Sequence, residues 1–132
     1  MRMRIQLLLV VASVILVGGS CETLTPESDR GALDARRQEI IAFAKSGTCT
    51  ANSQCRFTGL GSKPCGGPRE FIVYSTSLDT VKLFQMIAQY NQDEDAYNRK
   101  WGLVSDCSLP PLPDSIACVN GVCVKYRNGV PY

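Results

Sequence analysis

Apolar residues cluster along this chain in three rhythms. The first is a solid run. Ile5 to Val17 carry no charge, and Gln6 and Ser13 are their only polar residues; Arg2 and Arg4 precede them. The run is too short for a bilayer span of ~20 residues. The second rhythm is helical. Leu33, Ile40, Ile41 and Ala44 recur at helical spacing, with Arg36, Arg37 and Glu39 between them and Gly47 after them. This predicts a first helix over 31–45. Leu83, Ile87, Tyr90, Tyr97 and Trp101 form a longer stripe, with Val81, Phe84 and Ala88 beside it. Ser77 or Asp79 can cap that second helix and Gly102 can end it. A helix over 79–100 is roughly 33 Å long at ~1.5 Å per residue. Asp93-Glu94-Asp95 in its middle reads as a solvated face or a break.

The third rhythm is short and β-like. Arg56–Leu60 and Phe71–Ser75 are strand candidates, joined by Gly61–Pro68, which is dense in turn residues. Ile116–Val119 and Val122–Tyr126 flank Asn120-Gly121, the strongest short hairpin signal. Leu109-Pro110-Pro111-Leu112-Pro113 must be extended, because proline fixes its own φ and restricts its predecessor. Val130–Tyr132 reads as a loose end, and the polar stretch Glu22–Arg30 as a tether.

Cysteine usage then sets the compartment. Beyond Cys21 lie Cys49, Cys55, Cys65, Cys107, Cys118 and Cys123. The chain has no histidine and no C-x-x-C pair. Zinc patterns and thioredoxin-like chemistry are therefore not expected, and a disulfide framework is. Half of the six precede the long gap from Cys65 to Cys107 and half follow it. Each half holds an odd number, so complete pairing needs at least one bridge across the gap. Cys65 with Cys107 is the favoured candidate, with ~4 kcal/mol of chain-entropy stabilisation. Cys118 and Cys123 can bridge each other across the hairpin or both reach the other half; the second is favoured. The expected fold is α+β: a small disulfide-braced antiparallel sheet packed against two helices.

The N-terminus has the three parts of a secretory signal: a basic start, a short apolar run and small residues at the cut. Leu16-Val17-Gly18-Gly19-Ser20-Cys21 resembles a bacterial lipobox. It departs from the usual pattern at Gly18, where an aliphatic residue is common. The resemblance implies cleavage before Cys21, a diacylglyceryl thioether on its sulfur and an acylated amine such as a palmitoyl amide. Two or three chains anchor firmly where one binds only marginally. The expected organisation is a signal peptide over 1–20, a lipidated tether over 21–30 and a globular domain over 31–132, in the cell envelope of a bacterium. If the box fails, a secreted soluble protein is the alternative. Without Arg2 and Arg4 the basic and acidic side chains are equal in number. That argues against a nucleic-acid partner, which needs a cation excess.

The absence of histidine excludes Ser-His-Asp and Cys-His catalysis. Ser62-Lys63 is a poor dyad, since adjacent side chains seldom meet at one point. Glu70, Asp79, Asp93, Glu94, Asp95, Asp106 and Asp114 leave a carboxylate-dependent hydrolase as an alternative. The three consecutive acids read as an exposed helix surface and the others as caps or turn residues. Asn91–Asp95 falls short of a calcium loop, and Gly66-Gly67 lacks the Gly-Lys-Ser/Thr ending of a phosphate loop. No cofactor and no metal is expected. Two loops are candidate binding segments: Gly66, Gly67, Pro68 and Arg69 in one, Pro110, Pro111, Leu112 and Pro113 in the other. They point to a non-enzymatic envelope domain that binds an envelope or extracellular protein. A sharper version is an inhibitor of a protease or a wall-degrading enzyme, because a braced loop binds at low ordering cost.

Gly61–Pro68 with Tyr74-Ser75, the Tyr90-Asn91 and Tyr97-Asn98 pairs, Ser105-Asp106-Cys107 and Cys118-Val119-Asn120-Gly121-Val122-Cys123 together resemble a group of uncharacterised cysteine-rich bacterial lipoproteins. The resemblance covers about residues 49 to 124 and implies the address and the fold without supplying an activity.

Overall fold

The structure, a computed structural model, describes residues 24–132. The lipobox-like segment and Cys21 lie outside the described residues. Helix α1 (Pro26–Lys45) starts earlier than its apolar spacing predicts. The Thr25 side chain accepts from the Ser28 amide, and the Ser28 hydroxyl oxygen accepts from the Thr25 amide. Pro26 suits the first turn, and Glu27 and Asp29 sit at the positive end of the helix. Residues 26–30, read as tether, are therefore helical. Their polar side chains hid this, because they dock by ion pairs rather than by burial.

Strands β1 (Cys55–Leu60) and β2 (Glu70–Ser75) pair antiparallel, from Cys55 opposite Ser75 to Leu60 opposite Glu70. Helix α2 (Thr80–Lys100) is capped by the Asp79 carboxylate, which accepts from the Lys82 amide. It runs unbroken through Asp93-Glu94-Asp95. The two helices pack on each other and α1 packs on β2, around Leu33, Ile40, Leu60, Ile72, Leu83 and Ile87.

Strands β3 (Ser115–Val119), β4 (Val122–Arg127) and β5 (Val130–Pro131) form a second sheet. The expected single sheet is thus two small ones. Asn120 and Gly121 both take the left-handed conformation, with φ of 49° and 82°. That is what a two-residue hairpin turn requires. Asn128-Gly129 repeats the device, with φ of 50° and 75°. The end of the chain is consequently not loose: Val130 and Pro131 pair with Arg127 and Tyr126.

Cys49 bonds to Cys118, Cys55 to Cys123 and Cys65 to Cys107. All three bridges cross the long gap, where counting demanded only one. Cys55–Cys123 fastens the second sheet to the first, and Cys49–Cys118 fastens it to the loop between α1 and β1. Such bridges fit an oxidising, extracytoplasmic compartment. Among the described residues no helix is long and apolar enough to cross a membrane.

Candidate binding surface

One residue organises the first candidate loop. Glu94, expected on a solvated face, has a side chain that is 0% exposed. Its Oε1 lies 2.7 Å from Arg30 Nη1 of α1 and 2.7 Å from Arg69 Nε. Its Oε2 accepts from the Ser62 amide at 2.8 Å. Asn91, one turn earlier on α2, accepts from the Gly61 amide at 2.8 Å, and Asn98, one turn later, donates to the Ser62 carbonyl at 2.7 Å. One helix face thus holds the start of the loop by its backbone and the end by Arg69. A buried carboxylate is tolerable only with this degree of pairing. Burial works against the charge on Arg30, but Glu94 and Asp34 outweigh it and hold the guanidinium protonated, above its usual pKa. Gly61 is required here. Its φ is +93°, and a Cβ would lie 2.7 Å from Glu94 Oε2.

The signal for Glu94 was present in the helix phase. It follows Tyr90 by four places and precedes Tyr97 by three, which puts it on the apolar stripe. Its charge and its acidic neighbours masked that phase.

The far side of the loop is tied to the proline-rich segment. Lys63 Nζ donates to Asp106 Oδ1 at 2.8 Å and to the Ser108 carbonyl. The Lys63 ammonium lowers the Asp106 carboxyl to about 2. Cys65 bonds to Cys107 one step away. Gly67 packs so closely on Leu109 that a Cβ there would come within 2.9 Å of Leu109 Cδ2. Gly66, Gly67, Pro68 and Arg69 therefore adjoin the segment that carries Pro110, Pro111, Leu112 and Pro113. Pro68, Pro110 and Pro113 are partly buried, whereas Pro111 is exposed. Around them Val104 is 92%, Leu109 70% and Leu112 59% exposed.

The candidate acids are individually engaged. Glu70 is held by Arg37, Asp93 by Arg36, Asp95 by Arg99 and Asp106 by Lys63. Asp79 serves the Lys82 amide and Asp114 the Asn128 amide. Ser62 and Lys63 point their bonds to different partners, Glu94 and Asn98 for one and Asp106 for the other. The sulfurs of Cys49, Cys55 and Cys123 lie within 4.8 Å of one another, but each belongs to a disulfide and is not a thiolate ligand. Comparison with family models, curated proteins and solved structures finds no match for this chain.

Proposed function

We propose that this chain is the precursor of a bacterial lipoprotein, anchored through lipid on Cys21, whose folded domain binds another protein without catalysis. One observation carries the reading: two loops 42 positions apart at their disulfide are locked side by side and present Val104, Leu109 and Leu112 to solvent. Exposed aliphatic side chains on a rigid frame bind at small entropic cost, because the loops are already ordered. The partner is an envelope or extracellular protein with an apolar groove. A protease or wall-degrading enzyme is the favoured kind, since a braced, proline-rich loop can occupy a cleft without being cut.

The test uses the mature chain from Glu22 onward, exported behind an ordinary cleavable secretory signal so that it carries no lipid. It is immobilised beside a second bait carrying Leu109→Asp and Leu112→Asp, both at exposed positions. A protein retained from envelope extract by the first bait and lost from the second supports the reading. Equal retention, or none by a folded bait, sinks it. The anchor is tested separately: labelled fatty acid should enter the protein and be lost with Cys21→Ser.

A further inference from the structure

The seam between the two sheets holds a cavity of about 600 Å³. Small-molecule sites span ~300–1,000 Å³. Ile41 of α1, Phe71 and Val73 of β2, Val122 and Val124 of β4, and the Tyr132 ring line it. The wall is therefore largely aliphatic and aromatic.

Its charged side chains are unbalanced. Lys45 and Lys125 line the cavity, and Glu70 is the acid among its lining residues. Both Glu70 oxygens are already bonded to Arg37. Arg127, two places after Lys125 on the same face of β4, stacks its guanidinium 5.3 Å from the Tyr132 ring centroid. Its Nη2 is buried with no hydrogen-bond partner. Lys125 Nζ lies 4.4 Å from the same ring and donates to the Phe71 carbonyl at 2.7 Å. Burial pushes the Lys125 pKa down; Glu70 opposes this, while Arg127 and Lys45 add to it. Lys45 and Lys125, at an apolar hollow whose lining acid is already paired, gain from an arriving anion.

We infer that this cleft is a binding site for a small organic anion, an aliphatic carboxylate whose head meets Lys125 and Lys45 and whose body fills the apolar wall. A neutral amphiphile would leave the cations unpaired, and a cationic one would repel them. A membrane surface fits less well, because the apolar residues line a hollow rather than a flat patch.

The experiment titrates decanoate, below its micelle concentration, into the same lipid-free mature chain and follows backbone amide shifts. Decanol, decyltrimethylammonium and vesicles containing phosphatidylglycerol are the comparison arms. The expected result is saturable decanoate binding with shifts at residues 71–73, 122–125 and 132. Decanol should bind at least roughly tenfold more weakly, since it lacks the charged hydrogen bonds. Lys125→Met should weaken decanoate by a similar factor. Lys45→Glu, at an exposed position, should weaken it in the same direction and serves if Lys125→Met does not fold. No saturable binding, shifts elsewhere, equal binding of decanol, or response to vesicles alone would overturn the inference.

Discussion

The helical part of this molecule and its C-terminal part are held by different means. From Leu33 to Tyr90 the chain buries Leu33, Ile40, Leu60, Ile72, Leu83 and Ile87 in one continuous core. From Gly102 to Tyr132 only Cys123 is buried. The second sheet has two hairpin turns and a ladder of hydrogen bonds, but its apolar side chains pack around two disulfides rather than around each other. A small sheet with no core of its own is marginal in water. Here Cys49–Cys118 and Cys55–Cys123 weld it to a part that is stable by burial. The lesson is a division of labour: hydrophobic burial builds the platform, and covalent links attach what the platform displays.

The severest way to break that comparison is to replace Cys49, Cys55, Cys118 and Cys123 by alanine. Each bridge closes a loop of 69 or 68 positions. Losing both should cost more than ~4 kcal/mol, and losing one should cost less than half of that, because the survivor still ties the second sheet to the rest. Hydrogen exchange should show amides of residues 115–130 unprotected while α1 and α2 keep their protection. Helices that lose protection together with the sheet would mean one cooperative unit instead of two.

A smaller effect is expected at the helix that grips the loop. Glu94→Gln keeps the shape and removes the charge that faces Arg30 and Arg69. Both arginines are partly exposed, which discounts the penalty, so a loss of about 2 kcal/mol is expected in denaturant unfolding. Amides of Gly61 and Ser62 should exchange faster before global unfolding. Unchanged stability and exchange would show that Asn91 and Asn98 suffice to hold the loop.

The third contrast lies among the disulfides themselves. Cys65 and Cys107 are both exposed, whereas Cys49, Cys55 and Cys123 are buried. Accessible disulfides exchange first with a thiol reductant. Mild reduction followed by alkylation and mass spectrometry should label Cys65 and Cys107 alone, with little loss of helical signal. Simultaneous labelling of all six would contradict this ordering.

The smallest effect is electrostatic and local. Asp106 has its pKa lowered to about 2, from 3.8, by Lys63 and Ser108. The unfolded chain therefore binds the proton more readily than the folded one. The latch is complete above pH ~4 and is lost as pH falls towards ~2. Amides near Ser108 should shift through this window in a pH titration, and Asp106→Asn should abolish the shift.

Much of this molecule was legible in its residues taken in order. Helical spacing located both helices, Asn120-Gly121 located a hairpin, and the odd cysteine count in each half demanded a crossing bridge. These are local or arithmetic properties, and the chain carries them without knowing its fold. What tertiary structure alone decided was where polar residues go. Asp29 and Arg30 look like tether until Lys100, Trp101 and Glu94 meet them from α2. Glu94 looks like surface until Arg69 and the Ser62 amide close over it. The two candidate loops look independent until Gly67 lies against Leu109. Apolar burial leaves a periodic trace in sequence because it follows the helix or strand repeat. Ion pairs and backbone contacts between distant segments follow no repeat, so only the folded chain reveals them.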